Sequence, residues 1–222
     1  MVAAMIGGGI AHFYIPKTKF MSVLQHFVAG VLVGAVSVEL LPKILGQGKN
    51  WSISIGFVIG VAGMSLLHEF AHFLAKKDKK GIPLGLIAGG AIDFFIDGLL
   101  IGISFLAGQM SGLIIAFSLS LCAFFFAFTI STAMKQKKNG NVLQLAAIIV
   151  VAAMFPLGAL VGGGIISSLP DAILVETIAF GVAALLYVGI EELLVEAHET
   201  HDTVWASSAF FLGFLIILLF SR

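Results

Sequence analysis

Two acidic residues, Asp93 and Asp97, interrupt the apolar run at residues 84–107. They lie four positions apart, so a helix projects both carboxylates from one face. A carboxylate in the middle of a membrane-spanning helix costs roughly 2.5–3.5 kcal/mol, and this run contains no Lys or Arg that could neutralise either charge. A shared proton, a bound cation or a basic partner would relieve the repulsion between them. The spacing therefore favours a cation-binding carboxylate pair, and the alternative is two protonated acids bonded to neighbouring helices.

A second pattern that could do chemistry is H-E-x-x-H, formed by His68, Glu69 and His72. On a helix this spacing places both imidazoles on one face, where they suit a zinc ion with Glu69 beside them as a base. The three residues also end an apolar run beside lysines, where His and Glu are stable without a function. The motif alone leaves a metal site and an ordinary interfacial helix end both open.

Three further acids lie near the ends of apolar runs. Glu39 is close to the end of the second run, where it is either a ligand for an entering metal ion or an interfacial acid. Glu192 and Glu196 share one helix face at the end of the seventh run. Together with the H-E-x-x-H residues, Glu192 and Glu196 indicate an exit rich in oxygen and nitrogen ligands for a divalent metal. The alternative is that many of these side chains lie among lipid headgroups and water without a role.

The composition shows what kind of protein must position these residues. Hydrophobic residues make up 59% of the 222 and charged residues 11%, against about 25% charged in a soluble domain. Mean hydropathy is +1.11. We therefore expect a polytopic membrane protein with the lipid bilayer as its surroundings. The net charge is zero and no basic tail is visible, so no nucleic acid partner is expected. The single cysteine, Cys122, excludes an internal disulfide.

Eight apolar runs are separated by short polar connections, and we expect them to form a single transmembrane domain over residues 1–222. The runs cover residues 2–16, 20–46, 51–75, 82–107, 110–134, 142–167, 172–197 and 203–221. The first run is the shortest, and a spanning helix needs about 20 residues.

The lysines predict an orientation. Alternate connections are rich in lysine and should lie in the cytoplasm. They contain Lys17 and Lys19, then Lys76, Lys77, Lys79 and Lys80, then Lys135, Lys137 and Lys138. Both termini then face outside, and the short connections fit a prokaryotic inner (plasma) membrane.

Two short segments indicate an internal repeat. VELLPK (38–43) is similar to EELLVE (191–196), and both end long apolar runs that cross in opposite directions in this topology. Such a pattern is typical of inverted repeats in transporters, whose substrate sites lie near the midplane between the repeats.

The chain resembles the ZIP family of divalent-metal transporters over most of its length. The segments VAGVLVGAVSVELLPK, GFVIGVAG and LLYVGIEELLVEAHE resemble that family's second, third and seventh helices. The family's fourth helix reads His-Asn-x-x-acid-Gly, and here the corresponding residues are Asp93-Phe94-Phe95-Ile96-Asp97-Gly98. The resemblance implies an all-α bundle of eight transmembrane helices with an inverted repeat of helices 1–3 and 6–8.

The resemblance also implies metal ligands at Asp93 and Asp97. The chain departs from the family at Phe94, which replaces a usual ligand, and in the fifth helix, which lacks the family's ligand set. The polar residues near that place are Ser118, Ser120 and Cys122. A single ion held mainly by oxygens is then expected, which suits Mn²⁺ as well as Zn²⁺ or Fe²⁺.

Three functions follow as hypotheses. The first is a non-enzymatic transporter in which a divalent metal enters past Glu39, binds at Asp93 and Asp97, and leaves past Glu69, Glu192 and Glu196. The second is an intramembrane zinc metalloprotease, because HEFAHFLAKK also resembles the active-site helix of the site-two type. In that case Asp97 would supply the third zinc ligand. The third is a non-transporting metal sensor or assembly protein, and a homodimer is open to all three. No cofactor besides the metal is expected.

Overall fold

The fold is helical throughout the part of the chain that the structure describes. The computed structural model describes residues 2–13, 18–47, 49–76, 83–137, 139–165, 170–195 and 204–220, and no β-strand occurs among them. Each of the eight apolar runs is helical over most of its described length. Nine α-helices and three π-helical turns make up the described chain.

The α-helices are numbered here in chain order. They are α1 (Val2–Phe13), α2 (Thr18–Ala35), α3 (Leu41–Gln47), α4 (Asn50–Lys76), α5 (Leu84–Ala107), α6 (Gln109–Gln136), α7 (Asn141–Leu160), α8 (Asp171–Tyr187) and α9 (Val204–Phe220).

Within the described residues, six helical segments are long and apolar enough to cross a membrane, which confirms the prediction of an integral membrane protein. These segments are Phe20–Gly46, Asn50–Phe73, Gly85–Phe105, Gln109–Lys135, Asn141–Gly164 and Ile173–Glu191. The first and last runs form the shorter apolar helices α1 and α9, so the prediction of eight spans is met for six. The 17 residues of α9 rise about 25 Å, against a hydrocarbon core of about 30 Å.

Glycines permit close contacts between helix backbones. A Cβ atom at Gly30 of α2 would overlap the carbonyl oxygen of Phe210 in α9. A Cβ at Gly98 of α5 would overlap the carbonyl oxygen of Phe155 in α7, and one at Gly7 of α1 would overlap a carbonyl oxygen of α6. Small residues permit such backbone contact between membrane helices, so these positions hold the pairs together.

The most extensive helix packing divides the bundle into two groups. The first group contains α1, α5, α6 and α7, because α5 packs on α7 and α6, and α1 packs on α6. The second group contains α2, α4, α8 and α9, because α2 packs on α9 and on the π turn Val188–Leu194 that continues α8, and α4 packs on α8. The principal contacts between the groups are those of α4 with α5 and of α2 with α6.

In the described part of the chain, three π-helical turns extend the long helices. Val36–Leu40 joins α2 to α3, Val161–Ile165 continues α7, and Val188–Leu194 continues α8. A π turn inserts extra backbone into a helix and frequently occurs at a functional site. The first turn contains Glu39 and the third contains Glu191 and Glu192, so acids of both matching segments lie in π turns.

A polar contact joins three helices of the first group. Ser131 Oγ of α6 donates to the carbonyl oxygen of Gly8 in α1 at 2.9 Å. Gln144 Nε2 of α7 donates to the Ser131 carbonyl oxygen at 3.3 Å and also to Ser131 Oγ. Both side chains are buried, and these bonds fix the relative positions of α1, α6 and α7.

Candidate functional site

Asp93 lies in the interior of the bundle, at a cavity. Its side chain is 9% exposed, and it lines a cavity of about 220 Å³. Since water occupies about 30 Å³ per molecule in the liquid, this space can hold a cation with several waters. A buried carboxylate beside a cavity of this size can therefore meet a hydrated ion.

Polar side chains from two further helices line the same cavity. Gln25 comes from α2, and Cys122 and Thr129 come from α6. Val188 and Leu193 of the third π turn also line the cavity. Asp93, Cys122 and Thr129 belong to the first helix group and Gln25 to the second, so the cavity lies where the two groups meet.

The helical period explains which α6 residues reach the cavity. Cys122, Phe125, Phe126 and Thr129 line it, and their spacing is that of one helix face. Thr129 Oγ1 donates to the carbonyl oxygen of Phe125 at 3.1 Å, which leaves the hydroxyl oxygen's lone pairs as acceptors. Ser118, one turn before Cys122, donates to the Ile114 carbonyl oxygen at 2.9 Å and does not line this cavity.

Aromatic rings form the apolar wall beside Asp93. Phe94 is fully buried; its ring centroid lies 5.6 Å from that of Phe126 and 5.5 Å from that of Phe155. These distances fall within the preferred range for aromatic pairs. Phe94 therefore packs as a hydrophobic residue beside Asp93.

Asp97 and Asp93 share a helix but differ in surroundings. Asp97 is buried, with 4% of its surface exposed, yet it is not among the residues that line the cavity. Gly98 next to it packs against α7. Both carboxylates of the predicted pair are buried, and of the two only Asp93 lines the cavity.

Helix α2 contains three buried polar residues close together in sequence. Ser22, Gln25 and His26 are all buried, and His26 Nδ1 donates to the carbonyl oxygen of Ser22 at 2.8 Å. Sequence reasoning missed Gln25. The signal that could have found it is a polar pair, Gln25 and His26, within an apolar run.

Glu39 is half-buried in the first π turn. It lies four residues before Lys43, whose Nζ is buried and has no hydrogen-bond partner within the described ranges. Glu39 does not line the Asp93 cavity, so a role at the outer entrance stays a prediction.

The H-E-x-x-H residues lie at the end of α4. The rings of His68 and His72 are 4.7 Å apart between centroids, as expected for one helix face. The His68 ring also lies 6.3 Å from that of Tyr187. His68 is half-buried, whereas Glu69 and His72 are exposed.

Two of the acids predicted to line the metal exit, Glu192 and Glu196, are not fully described by the structure. The backbone of Glu192 belongs to the third π turn, and its side chain is not described. Glu196 lies outside the described residues. Among the described side chains, no group of three or more His, Cys, Asp or Glu could hold a metal ion. The donors at the Asp93 cavity are thus one carboxylate and one thiol, with amide and hydroxyl oxygens beside them.

Comparison with models of known protein families gave no match, and comparison with curated proteins gave none either.

Proposed function

We propose that this chain transports divalent metal cations of the zinc, iron or manganese class by alternating access, with the cargo bound at Asp93. The observation that carries the proposal is the cavity of about 220 Å³ where the Asp93 carboxylate meets Gln25, Cys122 and Thr129 inside a membrane protein. Intramembrane acids are costly and usually mark ion pathways. Donors that converge from three helices offer the ligands that such a pathway needs.

The position of the cavity supports alternating access. Asp93 and Cys122 belong to one helix group and Gln25 to the other. Relative motion of the two groups would open the cavity to one side of the membrane and then to the other. A cation that both groups hold would lose part of its ligand set during that motion and be released.

The order of helix packing supports the inverted repeat that the sequence predicts. The inverted repeat pairs α1 with α7, α2 with α8, α4 with α9, and α5 with α6. Under this pairing, the contact between α1 and α6 is equivalent to the contact between α7 and α5. The contact of α2 with α9 likewise becomes that of α8 with α4. These are the four most extensive helix pairs, and the π turns that end α2 and α8 obey the same correspondence.

The proposed route follows from the predicted orientation. A metal ion would enter from outside past Glu39, bind at Asp93, and leave past Glu69, Glu192 and Glu196. Asp97 lies on the same helix as Asp93 but does not line the cavity. Its effect on the bound ion would therefore be indirect. The termini would face outside, and the protein would lie in a prokaryotic inner membrane.

The protease alternative lacks a comparable observation. It requires Asp97 to complete a zinc site with His68 and His72. Within the described residues no such group of three exists, and Glu69 and His72 are exposed at the end of α4. The described residues thus supply two imidazoles without the third ligand that a catalytic zinc needs.

Uptake into proteoliposomes loaded with a metal-sensitive dye tests the proposal. Zn²⁺, Mn²⁺, Fe²⁺, Co²⁺ and Cd²⁺ would be offered in turn to the native chain and to Asp93→Asn. Saturable uptake of at least one ion, lost in Asp93→Asn, is the expected result. No uptake of any ion by folded protein would refute the proposal.

Glu176→Gln is a matched control, because it neutralises a half-buried acid of α8 about 18 Å along the helix axis from Val188. This variant should transport normally. Glu69→Gln separates the alternatives further, since it should abolish a protease and only weaken a transporter.

A further inference from the structure

We infer that the gap between α1 and α7 is a binding site for an anionic phospholipid of the phosphatidylglycerol type. The inference rests on the membrane location of the chain and does not depend on metal transport.

A cavity of about 260 Å³ separates α1 from α7. Helix α1 packs mainly on α6, and α7 packs mainly on α5, so the two helices leave space where they pass each other. Gly8 and Gly9 of α1 line this space, and a Cβ atom at Gly9 would meet no atom within 4 Å. Gly9, Asn141 and Leu145 are exposed. The cavity therefore opens on the outer surface of the bundle, where a membrane protein meets lipid.

The lining of this cavity changes from polar to apolar along α7. Asn141 and Gln144 line it at the beginning of the helix, and Leu145 and Ile148 line it further on. The seven residues from Asn141 to Ile148 rise about 10 Å. Because Asn141 begins the membrane-crossing segment Asn141–Gly164, the polar residues lie nearest to the membrane surface. A phospholipid has the same order, with its headgroup at the surface and its acyl chains toward the interior.

Gln144 supplies a hydrogen-bond acceptor in the polar part of the cavity. Its side chain is 4% exposed, and both of its hydrogen bonds to Ser131 use Nε2. These bonds leave Oε1 available as an acceptor. A hydroxyl of a glycerol headgroup is a donor of the required kind, so Gln144 favours phosphatidylglycerol over a headgroup that has no hydroxyl.

Lysines beside the polar part supply the charge that an anionic headgroup needs. Lys135 lies in the last turn of α6, Lys137 follows that helix, and both are exposed. Lys137 precedes Asn141 by four residues, which span at most about 14 Å. The backbone and side-chain N–H groups of Asn139 both donate to the Met134 carbonyl oxygen, so the connection is a compact turn beside the start of α7. Basic residues at a pocket between membrane helices bind anionic headgroups.

The same lysines disfavour a second copy of the chain as the occupant. A symmetric contact between two copies joins the same surface of both. It would therefore bring the positive charges of Lys135 and Lys137 toward their equivalents in the other copy, whereas an anionic lipid neutralises them.

Native mass spectrometry of the purified full-length chain in detergent tests the inference. The protein would be titrated with phosphatidylglycerol and, separately, with phosphatidylcholine that has the same acyl chains. One phosphatidylglycerol molecule should stay bound at concentrations at which phosphatidylcholine does not. Glycerol phosphate carries a headgroup charge without acyl chains, and it should not bind, because the site also holds the apolar part of the lipid.

Gly9→Leu locates the site, because it places an apolar side chain in the cavity where a Cβ meets no atom. Binding of phosphatidylglycerol should be lost in this variant. Gly46→Leu is the matched control, since Gly46 of α3 also has no atom within 4 Å of a Cβ and does not line the cavity. It should bind the lipid as the native chain does.

The contribution of charge is measured with the double variant Lys135→Gln/Lys137→Gln. Binding of phosphatidylglycerol should weaken by about tenfold or more, the scale expected for two lysines near an anionic lipid. Lys49→Gln is the control, because Lys49 is exposed just before α4, on the opposite side of the membrane in the predicted topology. Its binding should not change.

Each outcome decides for or against the lipid site. Equal binding of the two phospholipids, no bound lipid, or unchanged binding in Gly9→Leu would overturn the inference. A glycerol phosphate complex as tight as the lipid complex would assign the cavity to a free anion. A lipid-free dimer that Gly9→Leu dissociates would assign it to a second copy. If Gly9→Leu does not fold, the lysine variants decide, and undiminished binding in the double variant would overturn the inference.

Discussion

The hydrogen bonds around Ser131 give a prediction whose size can be worked out from the structure. Ser131→Ala removes the bond from Oγ to the Gly8 carbonyl oxygen and the bond from Gln144 Nε2 to Oγ. The bond from Gln144 Nε2 to the Ser131 carbonyl oxygen remains. Hydrogen bonds between membrane helices are worth about 0.6 kcal/mol on average. Two lost bonds therefore predict a loss of about 1.2 kcal/mol in unfolding free energy.

The full penalty of an unsatisfied buried group, about 1–3 kcal/mol for each group, should not apply here. Gly8 lies within α1, where its carbonyl oxygen also accepts a bond from its own helix. Gln144 keeps one partner. The lower figure is therefore the relevant one.

A double-mutant cycle measures the contact directly. Ser131→Ala, Gln144→Leu and the double variant would be unfolded at equilibrium in detergent micelles, and the coupling between the two sites should be about 0.6 kcal/mol. Ser208→Ala is the matched control, because Ser208 is exposed and its hydroxyl donates to the Val204 carbonyl oxygen of its own helix. It should change stability by less than about 0.5 kcal/mol. Zero coupling, or a Ser131→Ala loss no larger than the control's, would refute the reasoning.

Two further predictions concern the helix that carries Asp93. Gly98→Ala should destabilise the protein by about 1–3 kcal/mol, because its Cβ would overlap the Phe155 carbonyl oxygen. Gly9→Ala is the control, because a Cβ there meets no atom within 4 Å, and it should be neutral or slightly stabilising. Thermal unfolding of both variants in one detergent measures the difference in stability between them. Asp93→Asn should weaken Cd²⁺ binding far more than Asp97→Asn, since Asp93 lines the cavity and Asp97 does not; calorimetric titration measures this, and equal effects would contradict the assignment.

The helical runs were predictable because they depend on local composition. An apolar segment of about 20 residues buries its backbone polar groups only as a helix in lipid. The runs and the observed helices accordingly begin and end within a few residues of each other, as at residues 51–75 and Asn50–Lys76. The π turns were not predicted, because an inserted residue in a helix is decided by packing against neighbours rather than by composition.

The choice between Asp93 and Asp97 could not be made from the sequence. Four residues of helix rotate the side chain by about 40° and raise it by about 6 Å, so both carboxylates share a face. Only the neighbouring helices decide which one meets open space. Here Gln25 and Cys122 approach at the level of Asp93, while α7 packs at Gly98 beside Asp97.

Sequence spacing does not show which neighbouring helices a side chain meets. For this reason the H-E-x-x-H motif is weaker support for a metal site than Asp93. His68 and His72 share a face, as their spacing requires, and their rings are 4.7 Å apart. The spacing says nothing about what that face meets, and among the described residues it meets no third ligand. Asp93 belongs to no complete metal-binding motif, yet side chains from α2 and α6 converge on its cavity. A binding site needs donors that meet in space, and for ligands on separate helices that meeting is a property of packing. The function is therefore better argued from the Asp93 cavity than from H-E-x-x-H.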